Sequence, residues 1–210
     1  MKIDMHTHTE FSRDSSMKVD ELIERAKARC LDGIAVTDHN TMDAVDKIKK
    51  LRPDINIIPG MEITTDRGEI LGLFLTDEIT NTDPKKVVEE IRAQGGIAVV
   101  PHPFDPFRSF DGWKKIDVDG IEVFNSRNLT SGMNKKAMEH AEKNQMIKTA
   151  GSDAHSPWEV GKAYVEADAK NIEEFKERLI NGEVEIRGQR GSFMSYVYGN
   201  IEKLKKSLKK

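Results

Sequence analysis

Five of the chain's six histidines stand beside a carboxylate or another histidine where a short apolar run ends. His6 and His8 close Lys2-Ile3-Asp4-Met5, and His39 follows Asp38 after Gly33-Ile34-Ala35-Val36-Thr37. His102 follows Ile97-Ala98-Val99-Val100-Pro101, and His155 sits in Gly151-Ser152-Asp153-Ala154-His155. Only His140 falls in a charged, helix-like stretch. Neutral imidazole and ionised carboxylate are the usual nitrogen and oxygen ligands of a transition metal. Collected at strand ends, they predict a metal-assisted hydrolase. His6 and His8 are two apart, so on a strand they project from one face and can reach one ion. Asp153 and His155 repeat that spacing directly after a glycine that permits a sharp turn. Glu62 follows Pro59-Gly60-Met61, where a carboxylate just past a strand can bridge two ions. His102 lies between Pro101 and Pro103, which predicts an extended backbone and a fixed side chain. Each group alone has an ordinary alternative: surface or core histidines, Asp38 as the cap of a helix near Thr41, Glu62 on a hairpin surface, His102 in a turn. Their joint occurrence argues against coincidence.

The elements that must position these groups alternate along the chain. Short apolar runs at Ile3 to Met5, Gly33 to Thr37, Ile55 to Pro59, Ile97 to Val100, Gly120 to Phe124 and Ile147 to Ala150 predict buried strands. Between them, helices are predicted over Met17 to Arg29 behind a serine cap, Thr41 to Leu51, Pro84 to Gln94 behind Asp83, Met133 to Asn144 and Asn171 to Asn181. Repeated βα units imply a parallel sheet flanked by helices. Glu62 to Thr65 and Glu69 to Leu75, joined by Asp66-Arg67-Gly68, predict a hairpin inserted into this order. Candidate ligands follow so many strands that only a closed ring brings them round one centre. The expected fold is therefore an α/β protein, a distorted (β/α)7 barrel with its metal cluster at the C-terminal ends of the strands.

At 210 residues and 23.7 kDa, the chain predicts one domain with a sizeable core. The barrel is assigned to residues 1–192, and a basic amphipathic helix at 193–210 is expected to close the same domain. A net charge of −3 gives little support to bulk nucleic-acid binding. The single Cys30 excludes an intramolecular disulfide, suits a reducing cytosol and reads as a buried or half-buried thiol. No signal peptide is expected, because Asp4 and His6 interrupt the N-terminus, and no apolar run is long enough to span a bilayer. A cytoplasmic protein without a membrane partner follows.

Taken in order, His6-Thr7-His8-Thr9, Thr37-Asp38-His39-Asn40, Gly60-Met61-Glu62, Pro101-His102-Pro103, Glu122-Val123-Phe124-Asn125 and Gly151-Ser152-Asp153-Ala154-His155 resemble the PHP superfamily, named for polymerase and histidinol phosphatase. The resemblance runs from Lys2 to about Arg190. It implies a seven-stranded distorted barrel with two or three divalent ions (Mn, Fe or Zn) that hydrolyses phosphate esters. It makes His6, His8, Glu62 and Asp153 ligands of one ion, and Asp14, His39 and His155 ligands of a second. Glu62 would bridge toward a third ion near His102, where Glu69 replaces the histidine of many relatives. The attacking water would be metal-bound and held by Glu62, Asp153 and His155, with no nucleophilic side chain.

A phosphoesterase also needs cations beside the metals. Arg127, two residues after Asn125 at a strand end, is the first candidate for gripping phosphate, and Arg108 is the second. Asn125 is placed with them at the substrate, or else orients the ligands together with Glu122. The expected substrate is a small phosphomonoester or a nucleotide, and a nucleic-acid end is the larger alternative. Two other readings compete. An amidohydrolase-type C–N hydrolase also opens with H-x-H but usually carries a bridging lysine. The other is a non-catalytic metal-binding PHP module, against which stand the nearly complete set of ligand positions and the lack of any accompanying polymerase region.

Overall fold

Apolar residues at helical spacing define what each helix buries. In α1 (Val19–Ala28) Val19, Leu22, Ile23 and Ala26 are buried, and in α3 (Pro84–Ala93) Pro84, Val87, Val88 and Ile91 are. The computed structural model describes residues 1–51, 53–108 and 112–191. Within these, α2 spans Asp43–Leu51, α4 Ser131–Asn144 and α5 Ile172–Ile180. Asp83 caps α3 by accepting from the backbone N–H groups of Lys85 and Lys86, as the Asp-Pro start predicts. Ser15 and Ser16 do not cap α1. The N-cap is Lys18, whose backbone N–H donates to Glu21 at 2.8 Å, while the Ser15 hydroxyl is buried and donates to the backbone oxygen of His155 at 3.1 Å. Asp38 likewise caps no helix; it accepts from Thr9 and Ser12 beneath the site.

The strands are β1 (Lys2–Thr7), β2 (Gly33–Val36), β3 (Asn56–Thr65), β4 (Gly68–Leu73), β5 (Ile97–Val100), β6 (Gly120–Asn125), β7 (Ile147–Gly151), β8 (Ala163–Glu166) and β9 (Glu185–Gly188). They form one sheet in the order β7-β6-β5-β4-β3-β2-β1-β8-β9. The sheet curls until β7 meets β1. The N–H of Asp153 donates to the His6 carbonyl at 2.8 Å, and the N–H of His8 donates to the Ala154 carbonyl at 2.9 Å. The result is a nearly closed, distorted α/β barrel, as the strand-end pattern requires.

Its distortion lies in the pairing. The expected hairpin is present, but β4 is a stave of the ring rather than an insertion beside it, antiparallel to both β3 and β5. That placement carries Glu69 toward the centre. Of the short strands β8 and β9, which no alternation in the sequence marks, β8 pairs antiparallel with the start of β1 and β9 pairs antiparallel with β8. Alternate residues build two apolar layers. Ile3, Met5, Ala35, Ile58, Leu71, Leu73 and Val99 pack inside, closed by Phe175 and Leu179 of α5. Ile34, Val36, Ile63, Ile70 and Val100 pack outward against α1 to α4.

Cys30 is exposed, just beyond the end of α1 with φ +54°, which corrects the expectation of a buried thiol. The basic helix expected at 193–210 lies outside the described residues. No helix among the described residues is long and apolar enough to cross a membrane.

Closure of the ring depends on the absence of a side chain at Gly151. A Cβ there would lie 2.3 Å from the Cβ of His6 and 2.7 Å from its backbone nitrogen. Gly151→Ala is expected to destabilise the fold by about 1–3 kcal/mol through overpacking of the seam. Urea denaturation followed by circular dichroism measures this, and an unchanged midpoint would refute the close-approach argument.

Candidate metal centre

Two bulges turn the ligand candidates toward one point. The register of β1 against β2 slips between Asp4 and Thr7, so His6 and His8 reach the site although Ile3 and Met5 belong to the inner apolar layer. The register of β6 against β7 slips between Glu122 and Phe124, beneath the same site. Glu122 then holds three groups in place. Its Oε1 lies 3.1 Å from His6 Nδ1, and its Oε2 accepts from the His102 N–H at 2.9 Å and from Asn125 Nδ2 at 2.8 Å.

These contacts set the histidine tautomers. A carboxylate only accepts, so His6 carries its proton on Nδ1. His8 Nδ1 lies 3.0 Å from Ser12 Oγ, whose single proton goes to Asp38 Oδ1 at 2.8 Å, so His8 Nδ1 is the donor there. In the neutral rings both Nε2 atoms therefore present lone pairs, and they face each other at 3.0 Å. Glu62 Oε2 lies 3.5 and 3.3 Å from them, and Asp153 Oδ1 lies 3.8 and 3.5 Å away. Four lone-pair donors converging on one small volume repel one another unless a cation sits among them.

The remaining candidates extend this centre. His39 lies 3.3 Å from Asp14 and 3.3 Å from Glu62, and His155 Nε2 lies 3.3 Å from Asp14. His102 Nε2 lies 3.4 Å from Glu62 Oε1 and 3.8 Å from Glu69 Oε2. Three adjoining groups could each hold an ion: His6, His8 and Asp153; His8, Asp14, His39 and His155; and His39, Glu62 and Glu69. Asp14 Oδ1, His39 Nδ1 and Glu62 Oε1 are buried without a hydrogen bond. Each such atom costs about 1–3 kcal/mol, and a bound ion removes that cost. The donor set fits a divalent ion of the Mn, Fe or Zn kind.

The electrostatics agree. Burial acts to depress the imidazole pKa values, yet the surrounding carboxylates overcome it. His8 rises to about 10 through Asp153 and Glu62, and His6 rises through Asp153, Glu122 and Glu62. Burial acts to raise the acids, but the histidines and Arg108 hold Asp153 far below the usual range, and His39 and His6 do the same for Glu62. The cavity floor thus demands positive charge. His155 goes the other way, to about 3, because burial, Arg127 and His8 all disfavour its imidazolium. It stays a neutral ligand candidate.

The backbone does not follow the simple strand-end picture everywhere. His102 has φ +32° rather than an extended conformation. Its N–H reaches down to Glu122, and its carbonyl accepts from Asp105 N at 3.0 Å, which turns the chain at once. Asp153 is also left-handed, with φ +55°. Strain of this kind in non-glycine residues gathers at functional sites.

The expected substrate contacts divide. Arg108 and Arg127 line a cavity of about 380 Å³ together with Arg13, Asp14, His39, Glu62, Glu69, His102, Asp153 and His155. Asn125 does not face that cavity, which corrects its placement at the substrate. It is fully buried, with Nδ2 donating to Glu122 and to Asp153 (3.1 Å) and Oδ1 accepting from Arg127 N, so it orients the candidate ligands. Arg13, Asp105 and Glu159 were not singled out in the sequence. Arg13 stands close to Asp14, but nothing in its loop foretells its pairing with Glu69 at 3.4 Å. Asp105 fixes Arg108 Nε at 2.8 Å.

Two outcomes follow from this geometry. Saturation with Mn²⁺ at about 100 times Kd is expected to add about 2.7 kcal/mol, roughly 5–10 °C in Tm, reversed by chelator and read by scanning calorimetry. Glu122→Gln, whose amide oxygen stays with the His102 N–H and Asn125 Nδ2 and whose NH2 then faces His6 Nδ1, is expected to weaken metal affinity about 10–100-fold in a titration. Equal affinity in the variant would sink its orienting role.

The family model described as PHP domain matches residues 4–210. An uncharacterized protein of Methanocaldococcus jannaschii is 39% identical over 183 residues, covering 82% of this chain and 73% of its own. A two-domain protein of Bacteroides vulgatus, containing a predicted PHP-like metal-dependent phosphoesterase, superposes with a TM-score of 0.71 at 22% identity, over 96% of this chain and 69% of that one. An amidohydrolase of Chromobacterium violaceum with bound sulfate and no metal superposes at 0.64 and 17% identity, over 88% and 98%. The two superpositions speak for the fold alone. The near-full-length model match, over a barrel with its histidines and carboxylates gathered at one mouth, shows that this chain belongs to the PHP domain family.

Proposed function

We propose that this chain is a metal-dependent phosphoesterase that cleaves a phosphate ester small enough to enter the cleft: a phosphomonoester, a nucleotide or the end of a nucleic acid. The observation that carries this reading is that one cavity combines His39, His102, His155 and the carboxylates Asp14, Glu62, Glu69 and Asp153 with Arg13, Arg108 and Arg127. Divalent ions held by His6, His8, Asp14, His39, Glu62, Glu69, His102, Asp153 and His155 would lower the pKa of water and neutralise charge on the phosphoryl oxygens.

The chain's own residues supply the rest. Glu122 and Ser12 keep the His6 and His8 protons on Nδ1, so their Nε2 lone pairs stay directed inward. Arg108 and Asn125 fix one oxygen of Asp153 from behind and leave Oδ1 toward the histidines. Arg127, only 8% exposed, presents a planar cation at the cavity wall for a phosphoryl oxygen. Burial of these groups strengthens each interaction relative to the same contact in water.

An amide substrate has less use for cations beside the metals, since its developing charge is a single oxyanion. No lysine is among the residues that line the cavity, so the bridging lysine usual in amidohydrolases has no counterpart there among the described residues. A non-catalytic metal-binding module would need the ligand candidates but not arginines on the same cavity wall.

Phosphate release from a panel of phosphomonoesters, nucleotides and short oligonucleotides, after Mn²⁺ reconstitution, tests the reading. Asp153→Ala is expected to reduce turnover at least about 100-fold, since losing a ligand outweighs the 10–100-fold cost of losing a group behind one. Absence of release by folded, metal-loaded wild-type protein overturns it.

A further inference from the structure

The three cavity arginines are not equally available. Arg108 is spent on the protein: Nε bonds Asp105, Nη1 bonds Asp153 and Nη2 reaches Asn128 at 3.3 Å. Turning it to a substrate would leave a buried carboxylate unpaired. Arg13 is half exposed and, among the described residues, tied only to Glu69 at 3.4 Å, so its position is loosely defined. Arg127 is buried yet unsaturated, because its Nε has no hydrogen bond.

Behind Arg127 stands a buried carboxylate that the proposed chemistry does not use. Glu159 is 1% exposed. Its Oε2 accepts from the backbone N–H of His155 at 3.0 Å and from the Ser156 hydroxyl at 2.6 Å. Its Oε1 makes no hydrogen bond and faces Arg127 Nε at 3.7 Å. Arg127 Nη1 touches His155 Nδ1 and lies 3.8 Å from Asp153 Oδ1. One carboxylate therefore braces, through its two oxygens, the turn that carries a ligand candidate and the cation on the cavity wall.

We infer that Glu159 is a positioning residue: it holds the Arg127 guanidinium edge-on to the cavity as the fixed phosphate-binding cation and registers that cation against His155. The inference rests on the phosphoesterase reading. Its physical basis is charge and geometry together. Arg127 lies against His155, and without a counter-charge a buried guanidinium is driven from the wall toward solvent. With Nε toward Glu159 and Nη1 on His155 Nδ1, the fork keeps Nη2 for a phosphoryl oxygen. The 3.7 Å separation exceeds a charge-assisted bond of about 2.7–2.9 Å, so Glu159 holds the guanidinium by charge and not by a formed hydrogen bond.

Glu159→Gln is the decisive variant, because the amide oxygen can still accept from His155 N–H and Ser156 while the charge toward Arg127 is lost. Full-length, Mn²⁺-loaded wild type, Glu159→Gln, Arg127→Lys and the double variant are compared on the ester that the wild type cleaves fastest, with inorganic phosphate as a calorimetric probe. Expected are a rise of about tenfold in KM and in phosphate Kd for Glu159→Gln, with kcat within threefold and metal content unchanged. Arg127→Lys should show the same split, and the double variant should be no worse than Arg127→Lys alone. Unchanged KM and phosphate Kd would overturn the inference. So would a fall in kcat and metal content without a selective rise in KM, which assigns Glu159 to the His155 turn alone. If the wild type cleaves no ester yet binds phosphate in a Glu159-dependent way, the phosphoesterase reading fails and the anion site stands. If Glu159→Gln does not fold, Arg127→Lys with unaltered KM and phosphate Kd overturns the inference by itself.

Discussion

Two imidazole nitrogens, each with its proton fixed on the far side, face each other 3.0 Å apart at the centre of this barrel. That confrontation is stable only with positive charge between them, and the surrounding structure is arranged to enforce it. Glu122 holds one proton outward, while Ser12, backed by Asp38, holds the other. Arg108 and Asn125 steady Asp153 opposite. The carboxylates that raise the histidine pKa values also prevent the lone pairs from turning away. The centre is therefore a preorganised sink for cations, and its cost is distributed over the groups behind it.

The backbone serves the same end by departing from regularity. Bulges in β1 and β6 re-aim the side chains that a uniform strand would send into the apolar layers. His102 and Asp153 adopt left-handed backbone, one between two prolines and one directly after the seam. The antiparallel stave β4 brings in Glu69, which a strict βα succession would not supply. Each irregularity sits where a ligand candidate must meet the centre, and the outer helices remain ordinary amphipathic packing.

Much of this is legible from residue types and spacing. Histidines beside acids at the ends of apolar runs marked the centre, and Asp83-Pro84 marked a helix start to the residue. What escaped depends on long-range register. Asn125 reads as a substrate contact because its strand end should face the cavity, whereas the slip after Glu122 turns it inward beneath Asp153. Asp38 beside His39 looks like a helix cap, yet its partners Thr9 and Ser12 come from the loop after β1. Glu159 gave no signal, because a glutamate four residues after a histidine resembles any surface charge until the fold buries it. The strands β8 and β9 are short and partly exposed, so neither alternation nor a continuous apolar run identifies them.

The seam between β7 and β1 has a consequence for how the molecule assembles. Ser152 N–H donates to Asp4 across 148 positions of sequence, and the His6 carbonyl receives the Asp153 N–H beside it. Contacts of such separation are among the last to be rewarded during folding, since most of the chain must be ordered before they form. The ligand candidates from the two ends of the barrel meet only there. An ion bound across the seam then acts on a late step: it slows escape from the native state and leaves the rate of reaching it largely unaltered. The candidate metal centre would double as the clasp of the ring, and an ion held there would lengthen the lifetime of the folded chain.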